Sequence, residues 1–126
     1  MKSNRRIILA GGRGFLGAVL ARHFEMGGFE VFVLTRSPAV AKGAIQEVFW
    51  DGKTVGNWAG LLEGSLAVIN LAGRSVDCRY TPRNRRLILD SRVDSTRVLG
   101  QAIERCAHPP RLWLNSSTAT IYRHTF

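Results

Sequence analysis

The chain alternates between short, continuous apolar runs and longer segments whose apolar residues recur at helical spacing. Ile7 to Ala10 is the first run, and its β-branched residues are typical of a strand buried on both faces of a parallel sheet. Further strands are predicted at Val31 to Leu34, Gln46 to Trp50, Leu66 to Leu71 and Arg111 to Asn115. Helices are predicted from Phe15 to beyond Phe24, at Trp58 to Leu62, and from Pro82 to near Ala107. This order indicates an α/β protein.

A glycine-rich turn joins the first strand to the first helix. Gly11, Gly14 and Gly17 follow the strand at three-residue spacing. The first glycine allows a tight turn, the second lets a pyrophosphate approach the backbone, and the third lets the helix pack closely on the strand. Free N–H groups and the positive end of the helix dipole favour an anion there. Three glycines can also form a loop without a ligand, but this strand–turn–helix context predicts a dinucleotide-binding βαβ unit.

The residues after the second strand bear on which dinucleotide is bound. Sites that prefer NAD carry an acidic residue near this strand end, where it holds the ribose 2′-hydroxyl. Here Thr35, Arg36 and Ser37 stand at that position, and Arg13 lies within the glycine turn. A guanidinium matches the 2′-phosphate of NADP, so we predict NADP rather than NAD. The alternative is that Arg36 is a solvated loop residue.

Polar residues also end the later strands, and these ends face the ligand crevice of a doubly wound sheet. Asp51 either lies near the adenine or only forms a turn with Gly52. Asn70 either bonds a neighbouring strand or loop or contacts the cofactor. Ser116 to Thr118 face the ligand or satisfy backbone groups in their own loop. Right-handed crossovers predict the strand order 3-2-1-4-5 of a Rossmann-type, doubly wound parallel sheet.

Composition narrows the classes of partner. The formal charge of +9 comes largely from arginines before and within the last predicted helix, which suit an anionic ligand or a solvated helix face. No aromatic platform or helix-turn-helix pattern accompanies them, so we do not expect a nucleic-acid partner. No segment could span a membrane, and we expect a cytoplasmic protein. Cys78 and Cys106 belong to no Cys/His cluster, which predicts reduced structural thiols and no metal site.

Six motifs carry a resemblance to a known family. They are AGGRGFLG (10–17), LTRSP (34–38), WDG (50–52), INLAG (69–73), DSRVDSTRVL (90–99) and SSTATIY (116–122). Together they resemble the extended and atypical short-chain dehydrogenase/reductases of the NAD-dependent epimerase/dehydratase group. WD, NLAG and SRVDSTR are most similar to the subfamily described as SulA-like sugar-nucleotide epimerases. The resemblance implies an NADP-dependent epimerase/dehydratase or reductase, in which hydride passes between a substrate carbon and nicotinamide.

The resemblance also implies a role for each matching residue. It implies cofactor contacts from the glycine turn and the strand ends, by Gly11, Arg13, Gly14, Phe15, Leu16, Gly17, Arg36, Asp51, Leu71, Ala72, Gly73 and Ser117. Within this set, Arg36 would meet the 2′-phosphate and Asp51 the adenine. Thr118, four residues before Tyr122, matches the catalytic Ser/Thr that hydrogen-bonds the reacting oxygen.

The sequence departs from the family at the catalytic YxxxK motif, which is absent. Asn84 stands four residues after Tyr80, and Phe126 four residues after Tyr122. We therefore interpret residues 1–126 as the N-terminal portion of an NAD(P)-binding Rossmann domain, without the last strands and the C-terminal substrate region. It would bind the cofactor, and the full-length protein would act on a sugar-nucleotide-like or related small substrate. An uncovered sheet edge would favour homo-oligomers.

Two other classes of function fit the same sequence. One is a non-catalytic NADP-binding sensor or regulatory protein, which is favoured if the full-length protein lacks the Tyr/Lys pair. The other is a basic interaction module that uses Arg79 to Arg86 on a nucleotide-free Rossmann scaffold.

Overall fold

The computed structural model describes residues 5–11, 15–36, 45–71 and 82–115. The strands are β1 (Arg6–Ala10), β2 (Glu30–Thr35), β3 (Ile45–Phe49), β4 (Ala67–Asn70) and β5 (Leu112–Asn115). The α-helices are α1 (Phe15–Met26) and α2 (Pro82–Glu104), and a 3₁₀ helix spans Asn57–Leu62. Each element lies within a few residues of the segment predicted for it.

One parallel sheet contains all of these strands in the order β3-β2-β1-β4-β5, which confirms the predicted Rossmann-type topology. β1 is central, because Ile8 pairs with Phe32 on one side and with Val68 on the other. The side chains of Ile7 and Leu9 are 2% and 0% exposed, since both faces of β1 are covered. The carboxyl end of β1 therefore lies in the middle of one edge of the sheet.

Different elements cover the two faces of the sheet. On one face, Ala21 of α1 packs in a cluster with Ile7, Leu9, Val31 and Val33. On the other, α2 and the 3₁₀ helix contribute Trp58, Leu62, Val98, Leu99 and Ala102, which pack with Ile8, Leu34, Trp50 and Val68. Neither α1 nor α2 is long and apolar enough, in the residues described, to cross a membrane. Burial on both faces explains why β1, β2 and β4 consist largely of continuous apolar runs.

Basic side chains fasten the amino edge of the sheet, where the strands begin. Arg5 donates hydrogen bonds from Nε to the Gly28 carbonyl (3.2 Å) and from Nη2 to the Gly27 carbonyl (3.3 Å). These bonds close the end of α1, where Gly28 adopts a φ of +86°. Arg6 donates from Nη1 to the Leu61 carbonyl (3.1 Å) and so ties β1 to the 3₁₀ helix.

Glu63 joins the segment before β4 to the segment before β5. Its carboxylate accepts hydrogen bonds from the backbone N–H groups of Ala107 (3.0 Å) and His108, and it lies 3.3 Å from Nδ1 of His108. These N–H groups lower the pKa of Glu63. Burial and the Glu63 charge raise the pKa of the Cys106 thiol, consistent with the predicted reduced cysteine. The amino edge is thus occupied by contacts that hold the fold together.

β5 forms one edge of the sheet and is exposed. Leu112 and Leu114 are 51% and 47% exposed, and their partners in the ladder are Ala67 and Ile69 of β4. This register puts both leucines on the face that carries α1, while α1 itself packs over β1, β2 and β3. In the described part of the chain, β5 pairs with β4 alone.

Candidate functional site

The carboxyl edge of the sheet brings together the ends of β1, β2, β3 and β4. Backbone hydrogen bonds continue the ladder just past these strands, from Gly11 N–H to the Leu34 carbonyl (2.8 Å) and from Leu71 N–H to the Ala10 carbonyl (2.8 Å). Trp50 N–H donates to the Thr35 carbonyl (3.0 Å) in the same way. Four of the predicted cofactor residues, Gly11, Arg36, Asp51 and Leu71, thus follow adjacent strands at this edge.

Gly11, the first residue after β1, has the conformation that the glycine motif requires at that position. Gly11 adopts a φ of +72°, which a residue with a side chain rarely tolerates. α1 then begins at Phe15, so the first N–H groups of a twelve-residue helix follow the turn. Gly17 is buried in α1, as expected for close packing of the helix on the sheet, whereas the Leu16 side chain is 52% exposed.

Arg36 lies immediately after β2, beside the turn that follows β3. Its Nη2 is 4.0 Å from the position that a Cβ atom would take on Gly52, an ordinary van der Waals distance, so the guanidinium lies directly beside that turn. The Arg36 side chain is exposed. No hydrogen bond or ion pair found among the described residues involves its guanidinium. A positive charge is therefore available at the end of β2, where the sequence predicts the 2′-phosphate of NADP.

Asp51 organises the turn after β3. Its Oδ1 accepts hydrogen bonds from the N–H groups of Lys53 (2.9 Å) and Thr54 (2.8 Å), and its Oδ2 accepts one from the Thr54 hydroxyl (2.7 Å). These bonds, of which the Thr54 N–H is the strongest influence, lower the pKa of Asp51 to about 2. Gly52 completes the turn with a φ of +75°. The turn-forming role that the sequence left open for Asp51 is observed, and Thr54 is a partner that the sequence analysis missed.

Asn70 ends β4 and forms a polar cluster with its neighbours. Its Nδ2 donates to Oδ1 of Asn115 at the end of β5 (3.0 Å), and it lies 3.3 Å from Oγ of Ser95 and 3.5 Å from Oγ1 of Thr96 on α2. Asn70 and Ser95 are buried. Of the two roles considered for Asn70, bonding to the neighbouring strand is therefore observed.

Several predicted site residues lie outside the described residues. They are Arg13, Gly14, Ala72, Gly73, Ser117 and Thr118, together with the side chain of Phe15. Within the described ranges, His, Cys, Asp and Glu side chains form no group of three that could hold a metal ion. The described part of the site therefore contains Gly11, the exposed Arg36 guanidinium and a turn organised by the Asp51 carboxylate.

Comparison with known proteins relates this arrangement to others. The chain is 30% identical over 125 residues to the epimerase family protein SDR39U1 of Mus musculus. It covers 38% of that protein's length, while the match includes 94% of this chain. A solved structure of human SDR39U1 with NADPH is similar at 28% identity and a TM-score of 0.73, again over 94% of this chain and 38% of the human one.

A second solved structure is similar in fold. MoeE5, solved in complex with UDP-glucuronic acid and NAD, matches with a TM-score of 0.74 at 22% identity, over 93% of this chain and 38% of MoeE5. The sequence profile of the NAD dependent epimerase/dehydratase family matches residues 7–125. The resemblance inferred from the motifs is therefore confirmed, and the chain belongs to the NAD dependent epimerase/dehydratase family.

Proposed function

We propose that residues 1–126 form an NAD(P)-binding Rossmann domain that binds NADP(H) in preference to NAD(H). The observation that carries this proposal is the exposed Arg36 guanidinium beside Gly52 at the end of β2. A carboxylate at this strand end would repel a 2′-phosphate, whereas a guanidinium donates charge-assisted hydrogen bonds to it. The NADPH present in the similar structure of human SDR39U1 supports a nicotinamide dinucleotide of this type.

The remaining residues have defined roles in this proposal. The pyrophosphate lies against the turn that begins at Gly11 and the start of α1, where free N–H groups and the helix dipole favour an anion. We assign the contacts with the cofactor there to Gly11, Arg13 and Gly14 of the turn and to Phe15, Leu16 and Gly17 at the start of α1. The Asp51 turn borders the adenine, and the segment from Leu71 to Gly73 lies against the adenosine half. Ser117 contacts the cofactor near the end of β5.

The activity of the whole protein is also a proposal, because the chain spans about 38% of the length of the curated relatives it matches. A bound NADP(H) supplies or accepts a hydride. We propose that the whole protein acts on a sugar-nucleotide-like or related small substrate, and that Thr118 hydrogen-bonds its reacting oxygen. The alternative is a non-catalytic NADP sensor, which would be favoured if the full-length protein lacks a Tyr/Lys pair; Asn84 and Phe126 stand four positions after Tyr80 and Tyr122.

A fluorescence titration with NADPH and NADH tests the cofactor proposal. The hydrogen bonds to a charged phosphate predict that NADPH binds at least about tenfold more tightly than NADH, a difference of about 1.4 kcal/mol. Arg36→Ala should abolish this preference while leaving NADH binding nearly unchanged. Arg111→Ala is the matched control, because it removes the same charge from an exposed residue just before β5, at the opposite edge of the sheet.

Two outcomes would overturn the proposal. A parent chain that is folded by circular dichroism but binds neither nucleotide would show that the glycine turn is scaffold alone. An NADPH preference that survives Arg36→Ala would assign the 2′-phosphate to other residues.

A further inference from the structure

The Asp51 carboxylate uses both of its oxygens within its own turn. Oδ1 accepts from two backbone N–H groups, those of Lys53 and Thr54, and Oδ2 accepts from the Thr54 hydroxyl at 2.7 Å. The hydroxyl contact is the one side-chain hydrogen bond that Oδ2 makes among the described residues. Thr54 therefore fixes the direction in which the second carboxylate oxygen points.

This turn lies next to Arg36. Thr35 and Phe49 are partners in the parallel ladder, and the Trp50 N–H donates to the Thr35 carbonyl, so the chain segments after β2 and β3 remain adjacent. The Arg36 Nη2 lies 4.0 Å from the Cβ position of Gly52, the residue that follows Asp51. The Asp51 carboxylate, one residue before Gly52, and the long, exposed Arg36 side chain could meet by rotation about their own side-chain bonds.

Such a meeting would change the ligand that Arg36 can bind. An Asp51–Arg36 ion pair would neutralise the guanidinium and put a negative charge where a phosphate is to bind. The ion pairs observed among the described residues do not include this one. The carboxylate is instead held by the three hydrogen bonds of its turn, and the guanidinium stays available.

We propose that Thr54 is a positioning residue for cofactor specificity: its hydroxyl holds the Asp51 carboxylate away from Arg36, which keeps Arg36 available to the 2′-phosphate of NADP. The inference rests on the proposed NADP-binding function and deepens it. Asp51 thereby has two effects on the site. Its hydrogen bonds build the turn, and its charge must be kept away from the neighbouring cation.

The test compares the NADPH-to-NADH affinity ratio across four variants of the 126-residue chain. Thr54→Val removes the hydroxyl and leaves Oδ2 free to pair with Arg36, so the preference for NADPH should fall by about 1.5- to fivefold, the range of an exposed ion pair. Thr54→Ser keeps the hydroxyl and should keep the preference. Asp51→Asn retains the Oδ1 acceptor without the charge, and its preference should equal or exceed that of the parent.

The double variant separates electrostatics from turn structure. In Asp51→Asn/Thr54→Val no carboxylate remains to compete for Arg36, so the preference for NADPH should return to the parent level. If Thr54 only stabilised the turn, the double variant would be no better than Thr54→Val. Ser65→Ala is the control, since it removes a hydroxyl before β4, at the opposite edge of the sheet, and it should leave the ratio unchanged.

The outcomes distinguish this inference from the cofactor proposal. If Arg36→Ala abolishes the preference but Thr54→Val leaves it intact, the inference is wrong and NADP binding by Arg36 stands. If the double variant stays as low as Thr54→Val, the inference is likewise overturned. If the parent chain shows no preference, both proposals fail. Circular dichroism checks the folding of each variant, and Thr54→Ala makes the same deletion if the valine variant does not fold.

Discussion

Replacing Asn70 with alanine would measure how strongly the carboxyl edge of the sheet is held together. Asn70 is 4% exposed, and its Nδ2 faces Asn115 Oδ1, Ser95 Oγ and Thr96 Oγ1 at 3.0, 3.3 and 3.5 Å. A side-chain amide carries two N–H hydrogens, so it serves two of these acceptors at a time. The two nearer acceptors, Asn115 on β5 and Ser95 on α2, are the ones we count.

The expected cost follows from these contacts. Each intramolecular hydrogen bond contributes about 1 kcal/mol net, so two lost bonds destabilise the fold by about 2 kcal/mol. Ser95 is 1% exposed, so removing the amide also leaves a small cavity beside a buried hydroxyl, which adds about 1 kcal/mol. We therefore expect Asn70→Ala to lower the free energy of unfolding by about 3 kcal/mol, a large share of the roughly 5–15 kcal/mol of a typical domain.

Urea unfolding followed by tryptophan fluorescence measures this cost, because Trp50 and Trp58 lie in the core. Ser65→Ala is the control. Its buried hydroxyl donates one hydrogen bond to the Leu62 carbonyl (2.9 Å), remote from the β4 carboxyl end, and its loss should cost about 1 kcal/mol. The reasoning is refuted if Asn70→Ala lowers the free energy of unfolding no more than Ser65→Ala does, while the m-value stays unchanged.

Further predictions concern the backbone strain at Gly11, the titration of Asp51 and association through the exposed strand β5. Gly11→Ala should destabilise the fold by about 1–2 kcal/mol, because an alanine at a φ of +72° is strained. Thermal unfolding checks this, with Gly60→Ala as the control variant, since no atom lies within 4 Å of a Cβ added at Gly60. The pKa of Asp51 is lowered from 3.8 to about 2, so its contribution to stability is complete above pH 3.8 and is lost as pH falls towards 2. Urea midpoints over this pH range should fall more steeply for the parent than for Asp51→Asn, and equal slopes would contradict the assignment. Finally, the exposed β5 leucines should cause concentration-dependent association in light scattering, which Leu112→Ser/Leu114→Ser should reduce. A parent chain that stays monomeric at every concentration would contradict the prediction that β5 causes association.

The sheet was predictable because a strand that is buried on both faces forms a continuous apolar run in the sequence. The segment from Ile7 to Ala10 is apolar at every position. A strand with one solvent-exposed face would alternate apolar and polar residues instead. Right-handed crossovers then leave few possible strand orders. The end of α1 was also predictable, because Gly28 supplies the positive φ at which a helix commonly stops.

The contacts that join distant segments were not predictable from local patterns. Glu63 binds the backbone of Ala107 and His108, more than forty residues later, and nothing near Glu63 in the sequence indicates that partner. Likewise, nothing near Arg5 and Arg6 in the sequence indicates that their side chains bind carbonyls at the end of α1 and in the 3₁₀ helix.

Within the candidate site, too, some residues were predicted from the sequence and one was missed. Gly11 and Arg36 were predicted because their residue types carry the chemistry that the site requires. The Thr54 hydroxyl was missed, although an Asp three residues before a Thr is a local turn pattern in which the carboxylate accepts from both the N–H and the hydroxyl of the Thr.

The central position of β1 also governs how the chain reaches its fold. Arg6 pairs with Glu30 and Ile7 with Ala67, so β1 joins strands made at very different times. At about 5–20 residues per second, synthesis takes roughly 3–12 s to pass from Ile7 to Ala67. Until β4 is made, the largely apolar β1 has β2 as its one sheet partner, and before β2 is made it has none. Parallel pairing across such long loops is slow as well, so the nascent chain needs chaperone protection most before β4 leaves the ribosome.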